Sequence, residues 1–567
     1  MQNGACSRRA KFGLLYTRSE ERSCTGCTLV PNLRTRAKTI RSLIRDPISS
    51  YLTTGREPRW WAGLLWLLIA CIITILFFAR LPYPRYTPDS WAYLELSKTV
   101  FGDFYRFVHL RSFWTQDLYS SAFPPLWPTL IATAHAFFGY DVRNQYVLAF
   151  AAFGAFVWLS ELTIRRAFES KWVGASTAIL LIAQPGFVGE LTGGRSIPLQ
   201  LLLYALLLYV LVTRPVKRLR DGLYIGVIAG LAVMNRFDAL PFTAAIILMV
   251  AVLSRSVAVS MIAFAGVLAI LSPWIAYSLN TFGVPFATDS RDVALAVDEN
   301  VYATDWWPEK LTKLSDDPIA WVVKVSRNLL PFLRAGVLSL GFLLPLGVGL
   351  LLLLNWLISR TSSIQKNFAT SDHERDRFRV LIGFLMALWL STSANVVTGY
   401  FDSRYFAAVT WLTFTILFIS TQWRLALMHH RAIVGFLFLG ASCLLAALGV
   451  ARAIAILLIS APWVSGSFAN PIIDRQIRNC IAPDSRILVV DNNTLASRMG
   501  ALQDIPSLMI PQNLWDGRLD PEKLSDFITS FSVRYVYLAS GRIKPERLKA
   551  WGFSPFCMEN LFARDPR

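Results

Sequence analysis

The twenty residues from Trp60 to Ala79 read WWAGLLWLLIACIITILFFA and contain no charged side chain. As an α-helix, this stretch is about 30 Å long, which matches the hydrocarbon core of a bilayer. The whole chain is 54% hydrophobic and only 16% charged, with a mean hydropathy of +0.44. This composition predicts an α-helical polytopic membrane protein and excludes an ordinary soluble enzyme.

The apolar runs predict about eleven transmembrane helices. The run at 222–253 is too long for one ordinary span, and the polar residues from Asn235 to Asp238 interrupt it, so we predict two helices that meet at a polar turn. A run with three prolines at 123–139 is interpreted as a non-spanning or re-entrant segment, because a second crossing there would move the basic pair Arg165-Arg166 outside. The other runs lie at about 60–79, 144–164, 172–190, 196–213, 257–278, 335–357, 380–397, 405–422 and 432–459.

The formal net charge of +19 is explained by the membrane and not by nucleic acid. Residues 1–59 carry twelve basic and four acidic side chains just before the first span, which predicts a disordered cytoplasmic tail attracted to anionic membrane lipids. Basic loops near Arg165, Arg218, Arg360 and Arg424 are predicted to be cytoplasmic as well.

Two large loops are predicted to be external, at residues 80–122 and 279–334. The stretch 280–328 holds eight acidic and five basic side chains, and the positive-inside rule places it outside. The transmembrane domain is predicted to extend over residues 60–462. With a cytoplasmic N-terminus and an odd number of spans, residues 463–567 are then external.

The C-terminal region changes character from about Trp463. The short runs SRILVVDN, SLMIP and VRYVYLAS are typical of strands, and the helical stretches Asn493–Met499 and Pro521–Phe531 separate them. This alternation predicts a small α/β domain with a largely parallel sheet. Cys480 and Cys557 bracket the domain, and two alternatives are open: a disulfide if the domain is external, or two separately buried thiols.

The first external loop contains a carboxylate near the membrane surface. Pro88 can start a helix after Thr87, and this places Asp89 in the first turn and Tyr93 one turn further along the same face. On local grounds alone, Asp89 is a helix cap or a partner of the helix dipole.

Six segments, taken in their order along the chain, resemble the GT-C glycosyltransferases. The resemblance is narrower to the dolichyl-phosphate-mannose protein mannosyltransferase-like branch, which includes the aminoarabinose transferases of lipid A. The segments are TPDSWAYLELSKTV (87–100), SAFPPLWPTLIATAHAFFG (121–139), GLAVMNR (230–236), SPWIAYSLNTFGVP (272–285), SRY (403–405) and VRYVYL (533–538).

The resemblance implies transfer of a hexosyl or pentosyl group, with inversion, from a polyprenyl-phosphate donor to an acceptor on the outer face of a bacterial inner or plasma membrane. Asp89 matches the loop carboxylate of the family, which accepts the proton of the acceptor or orients it. The leaving lipid phosphate needs cations, and Arg404, with Arg236 and Arg195 behind it, is the best set of candidates.

Each of these residues also has a simpler interpretation. Arg404 can anchor a helix end at the lipid headgroups, and Arg236 can pair with Asp238 at the polar turn. Further side chains of the first loop are candidates for acceptor or donor contacts, although most such residues are simply solvated. They are Tyr93, Glu95, Arg106, His109 and Arg111.

Two departures from the family pattern bear on metal binding. Ser90 stands where the family often has a second acid, and Arg195-Ser-Ile-Pro198 lacks the acid of a Pro-Asp pair. Because a hard cation needs several oxygen ligands, we predict no cofactor and disfavour a divalent metal. Two other functions are open: a transporter or flippase of lipid-linked saccharide, and a catalytically inactive scaffold.

Overall fold

A computed structural model gives the fold. In the predicted first span, residues 70–78 are helical. The structure describes residues 66, 70–78, 86–102, 105–106, 123–168, 173–288, 294–297, 312–340, 372–399, 401–425, 471–482, 485–490, 493–509, 521–538 and 544–564. The predicted tail 1–59 and the predicted span 432–459 lie outside these residues.

Apolar helices make up most of the described chain, and their side chains form one large hydrophobic core. The helices before the C-terminal region are α1 (Pro88–Ser97), α2 (Leu126–Phe138), α3 (Arg143–Phe168), α4 (Val173–Leu180), α5 (Pro185–Thr192), α6 (Ile197–Thr213), α7 (Leu219–Asn235), α8 (Leu240–Ser254), α9 (Val257–Phe282), α10 (Pro318–Leu340), α11 (Asp372–Ser393), α12 (Asn395–Thr398) and α13 (Ala407–Leu425). Short 3₁₀ turns lie at Leu181–Ala183, Phe237–Ala239 and Ser403–Phe406.

Five helices within the described ranges are long and apolar enough to cross a bilayer. A sixth candidate arises if Gly186–Thr192 and Ile197–Thr213 are taken as one span, although they are bent by 103°. A multi-pass membrane protein is therefore supported, while the count of eleven stays a prediction. The apolar helix α2, with 13 residues, is about 20 Å long and too short to cross the hydrocarbon core, as its prolines led us to expect.

The predicted polar break between α7 and α8 is present. Asn235 ends α7 and donates hydrogen bonds from Nδ2 to Gln200 Oε1 at 2.8 Å and to the carbonyl of Ser196 at 3.1 Å. Arg236 and Asp238 form an ion pair at 2.9 Å across the turn. These bonds satisfy some of the polar groups that an interrupted helix exposes at membrane depth, while Asn235 Oδ1 and Gln200 Nε2 have no hydrogen-bond partner among the described residues.

A second break was not predicted. The run 172–190 was expected to be a single span, but it forms α4, a 3₁₀ turn and α5, and the 3₁₀ turn ends before Pro185. A proline in a helix interior removes a backbone donor and clashes with the preceding turn, so a new helix begins at Pro185 instead. The chain then turns at Gly193 and Gly194 and enters α6.

Close packing of α7 against α9 fixes the centre of the bundle. A Cβ atom on Gly226 would lie 2.1 Å from the carbonyl oxygen of Ala263 on α9, so only glycine permits this approach. Without a hydrophobic driving force between helices in lipid, such small residues provide the van der Waals contact that holds helices together.

The C-terminal region folds around a five-stranded sheet with strand order β2-β1-β3-β5-β4. The three predicted strands are confirmed and pair in parallel, β1 with both β2 and β3. Two further strands were missed, so the sheet is mixed: β5 pairs antiparallel with β3 and with β4. The elements are α14 (Pro471–Cys480), β1 (Ile487–Val490), α15 (Asn493–Gln503), β2 (Ser507–Met509), α16 (Pro521–Ser530), β3 (Tyr535–Leu538), α17 (Pro545–Ala550), β4 (Phe553–Phe556) and β5 (Met558–Arg564).

The disulfide alternative for Cys480 and Cys557 is confirmed. The bond joins the end of α14 to the turn between β4 and β5, with the two Cα atoms 5.8 Å apart, and it closes a loop of 77 residues. Closing so long a loop restricts the unfolded chain, which stabilises the domain by about 4 kcal/mol in the chain-entropy model.

Alkylation before reduction is expected to leave Cys480 and Cys557 unlabelled, because a disulfide has no thiol to react. A membrane-permeable maleimide followed by a non-reducing peptide map makes this measurement. With the protein unfolded in detergent but not reduced, Cys71, a free cysteine of the predicted first span, is the internal positive control. Label on both Cys480 and Cys557 would contradict the bond.

Candidate active site at one end of the helix bundle

Two carboxylates and two guanidinium groups form a cluster, which we call the ion cluster: Asp89, Glu190, Arg195 and Arg404. The Nη1 atoms of Arg195 and Arg404 lie 3.5 and 3.4 Å from Asp89 Oδ2. Both guanidinium groups also bond Glu190 Oε1, Arg404 at 3.0 Å and Arg195 more closely. Four groups from three distant segments of the sequence are thus held together by attraction between opposite charges.

Helix α1 supplies Asp89, and its predicted start is confirmed. Pro88 is the first helical residue, and the backbone N–H of Thr87 donates to Ser90 Oγ at 3.1 Å. Ser90, which replaces the second acid of the family pattern, is fully buried. Its hydroxyl fixes the helix start by a capping-box interaction, and this orients Asp89 towards the arginines.

The end of α5 and the turn between α5 and α6 supply Glu190 and Arg195. Glu190 lies in the last turn of α5, and the backbone N–H of Arg195 donates to its carbonyl at 3.0 Å. The side chain of Glu190 is only 2% exposed and that of Arg195 12%. A buried carboxylate is costly unless it is paired, so Glu190 depends on both arginines.

Arg404 lies in the 3₁₀ turn that precedes α13. Asp402 caps this turn by accepting the backbone N–H of Arg404 at 3.1 Å, and its Oδ2 lies 3.4 Å from Arg404 Nε. The turn packs directly on α5, where a Cβ on Gly186 would lie 2.8 Å from the Arg404 nitrogen. The glycine therefore permits the approach that brings Arg404 to Glu190.

The charges around Asp89 decide its ionisation. Burial alone would raise the pKa of its carboxyl group, but Arg195 and Arg404 outweigh that effect, with a further contribution from Arg236. The pKa of Asp89 is therefore lowered below its ordinary value, and the group is a carboxylate at neutral pH. A group of low pKa is a weak base but a good hydrogen-bond acceptor for a hydroxyl.

Arg236 lies beside the ion cluster and is not one of its members. It pairs with Asp238, as the simpler interpretation held, and its guanidinium carbon lies 5.3 Å from the centre of the Tyr405 ring. Arg404 lies 5.1 Å from the same ring. Tyr405 thus holds both arginines by cation–π contact.

A cavity opens between α6, the α7–α8 turn, α11 and α13. Its wall combines two cations, several hydrogen-bonding side chains and an apolar patch, which is the composition of a site for a polar headgroup joined to an apolar tail. The lining residues are Ile197, Gln200, Leu201, Tyr204, Arg236, Asp238, Leu388, Ser391, Thr392, Asn395, Arg404, Tyr405, Ala407 and Ala408.

The other predicted loop residues are not all brought to this site. Tyr93 is buried near it, with its hydroxyl 3.2 Å from Ser196 Oγ, and burial raises the pKa of Tyr93 to about 12. Glu95 is fully buried in α1, and the backbone of Arg106 bonds to Thr99 beyond the opposite end of α1. His109 and Arg111 lie outside the described residues.

Glu190 is the site residue that the sequence did not single out. It stands at the end of the apolar run 172–190, where a lone carboxylate is rare in a span and usually marks a functional position. That signal was available, but nothing in the sequence connects Glu190 with Arg404. No group of three His, Cys, Asp or Glu suited to a metal ion occurs in the described part of the chain.

The comparisons with known proteins agree with the fold. The family model of dolichyl-phosphate-mannose-protein mannosyltransferases matches residues 123–277. The crystal structure of ArnT from Cupriavidus metallidurans bound to undecaprenyl phosphate aligns over 89% of this chain and 99% of its own, with a TM-score of 0.55 and 13% identity. The resemblance to the GT-C glycosyltransferases is confirmed. The match contains Glu190, Arg195 and Arg236 of the candidate site, whereas Asp89 and Arg404 lie outside it.

A second solved structure is less similar. The archaeal oligosaccharyltransferase AglB from Archaeoglobus fulgidus, in complex with an inhibitory peptide and a dolichol-phosphate, has a TM-score of 0.49 and 12% identity. The alignment covers 84% of this chain and 70% of AglB. A search of the curated proteins found no significant match. The family and these structural neighbours are glycosyltransferases, two of them solved with a polyprenyl phosphate.

Proposed function

We propose that this protein transfers a sugar from a polyprenyl-phosphate donor to an acceptor at the outer face of the membrane. The observation that carries this proposal is the ion cluster, in which Arg195 and Arg404 face the Asp89 carboxylate at the end of the helix bundle. The donor follows from the GT-C resemblance and from the cavity, whose cations and apolar patch suit a phosphate on a hydrocarbon chain.

The chemistry assigns one role to each group. An oxygen of the acceptor attacks the anomeric carbon of the sugar, the bond from that carbon to the phosphate oxygen breaks, and the electron pair leaves with the lipid phosphate. The proton of the acceptor hydroxyl passes to the released phosphate, which gains a negative charge when the bond breaks. Arg404 stabilises the negative charge that develops on the phosphate. Asp89 accepts a hydrogen bond from the acceptor hydroxyl and orients it, while Gln200, Ser391 and Asn395 of the cavity wall bind sugar hydroxyls.

The pairing of the carboxylates favours transfer without a metal ion. Asp89 and Glu190 are both bonded to the arginines of the ion cluster, so neither is free to act as a ligand of a divalent cation. The arginines themselves supply the positive charge that a cation would bring to the phosphate.

The proposal that the site faces outwards depends on which helix ends carry the site and which carry the basic loops. Helix α6 begins beside the ion cluster and ends before Arg214, and α7 begins after Arg218 and ends at the polar turn. The basic loops and the site therefore occupy opposite helix ends. With the basic loops in the cytoplasm, the site is outside and the N-terminus inside.

A flippase is the second candidate, and the sharp bend between α5 and α6 favours it. Transporters often bind their substrate between discontinuous helices, and the breaks before Arg195 and at Arg236 lie near each other. The two functions differ in outcome. A glycosyltransferase forms a new glycosidic bond and releases undecaprenyl phosphate, whereas a flippase moves the intact donor across the bilayer.

Asp89→Asn is expected to lower the rate of transfer about 10²-fold, because asparagine keeps the shape but not the acceptor strength of the carboxylate. The measurement uses purified full-length protein in nanodiscs, undecaprenyl-phosphate sugars as donors and envelope lipid extract as acceptor. Because the pKa of Asp89 is lowered, Asp89 should cause no fall in the wild-type rate between a pH of about 7 and about 4, where an aspartate of ordinary pKa is already nearly half protonated.

Asp141→Asn is the matched control, since Asp141 is a half-exposed carboxylate that pairs with Arg143. Wild-type turnover by Asp89→Asn would exclude the assigned role. Movement of the donor across the bilayer without release of undecaprenyl phosphate would favour the flippase.

A further inference from the structure

The C-terminal domain contacts the helix that carries Asp89. Helix α15 packs on α1, and Lys98, the C-cap residue of α1, reaches its C-terminal end. The ammonium group of Lys98 donates to the carbonyl of Ala501 at 2.7 Å and to Asp504 Oδ1 at 2.9 Å. The hydroxyl of Tyr140 donates to the same carbonyl at 3.2 Å. We call this contact the α1–α15 clamp.

The clamp has the features of a specific contact. Carbonyls at a helix C-terminus lack intrahelical partners and carry partial negative charge, so the lysine satisfies both the carbonyl and the helix dipole. Asp504 has a left-handed backbone (φ of 53°), a conformation that costs an L-residue about 1 kcal/mol. Ala501 is fully buried and belongs to the same hydrophobic core as Leu94 and Leu96 of α1.

The clamp and Asp89 lie at opposite ends of one short helix. Lys98 follows Asp89 by nine positions, which corresponds to a distance of about 14 Å along the helix axis. The Thr87–Ser90 cap fixes the first turn of α1, and the Tyr93–Ser196 contact holds the middle of the helix. Release of the Lys98 end would therefore let α1 tilt about these contacts and displace the carboxylate from Arg195 and Arg404.

We propose that the C-terminal domain positions Asp89 through the clamp, and that Lys98 is a positioning residue for the transfer reaction. The expected effect on catalysis rests on the proposed function. The contact between α1 and α15, and its effect on the position of α1, do not. A displacement of about 1 Å at a reacting group can lower a rate about 10²-fold, so a contact far from the chemistry is sufficient.

Hydrogen exchange of the α1 amides tests the structural part without any substrate. In full-length protein in nanodiscs, Lys98→Met is expected to speed exchange of residues 88–97 about tenfold, because a charge-assisted hydrogen bond is lost. Lys98→Arg should restore most of the protection, and Asp504→Asn should show a smaller increase. The matched controls are Lys549→Met and Asp526→Asn, which change exposed side chains of the same domain.

The transfer rate tests the catalytic part. Lys98→Met should lower kcat about tenfold or more while KM stays within a factor of about three, because binding groups are untouched. Unchanged α1 exchange in Lys98→Met would overturn the clamp, and faster exchange with an unchanged kcat would overturn the positioning role. If the wild-type protein transfers no sugar, the proposed function fails, while the exchange result still decides the clamp.

Discussion

Replacement of Arg404 by glutamine is expected to lower the rate of sugar transfer about 10³-fold, the usual cost of removing a key electrostatic donor from an active site. Arg404 contacts Asp89, Glu190 and Tyr405, and it lines the cavity. Among the described side chains of the site, no other contacts all three of these residues and also lines the cavity. Its loss removes a charge from the leaving phosphate and a partner from both carboxylates.

Arg404→Lys separates these two effects. Lysine keeps the positive charge but not the planar pair of donors, so it can pair with one carboxylate at a time. We expect it to recover about a tenth of the lost activity or less. Turnover with undecaprenyl-phosphate sugar donors is the measurement, and Arg379→Gln is the control, because Arg379 is 77% exposed and pairs only locally with Asp376. A rate near wild type in Arg404→Gln would remove the arginine from the mechanism.

Parts of the site were predictable because their signals are local in sequence. The helix start at Pro88 fixes the direction of Asp89, and three polar residues in an apolar run mark the α7–α8 turn. In both cases a few adjacent residues determine the backbone. The arginines were predicted as phosphate ligands through the GT-C resemblance, and the structure brings two of the three together on Asp89.

The parts that were missed depend on contacts between distant segments. The break before Pro185 divides a run whose hydropathy is continuous, so the pattern alone indicated one span. Strand β4 contains Pro555 and pairs only with β5, which is the edge position that a proline tolerates. Lys98 and Ala501 are separated by 403 residues, and no local pattern predicts their contact.

The ion cluster explains how the chain compensates for the missing acids of the family pattern. Ser90 supports the helix start, and Arg195 occupies the segment where the Pro-Asp pair is expected. Glu190, five residues earlier, restores a second carboxylate next to Asp89 through the two arginines. Sugar transfer by the wild-type protein would distinguish an active enzyme from a catalytically inactive scaffold.

Glu190→Gln should therefore bind undecaprenyl phosphate more tightly and turn over more slowly. The substitution changes the ion cluster from neutral to a net charge of +1, which attracts a phosphate anion by about 3 kcal/mol at a separation of about 5 Å and an effective dielectric constant near 20. Part of that energy is lost as Arg195 and Arg404 lose their anchor, and we expect binding to tighten about tenfold.

The rate should fall about 10³-fold in the same variant, since the arginines are displaced and the product phosphate is released slowly. Binding of undecaprenyl phosphate, measured by calorimetry in nanodiscs, and single-turnover kinetics separate affinity from chemistry. Glu161→Gln is the control, because Glu161 is also buried but bonds the backbone of Ala175 on α4. That variant should lose stability without any change in phosphate affinity. If Glu190→Gln binds undecaprenyl phosphate more weakly than wild type does, Glu190 contributes only by holding Arg195 and Arg404 in place. The negative charge of Glu190 would then not reduce the affinity of these arginines for phosphate.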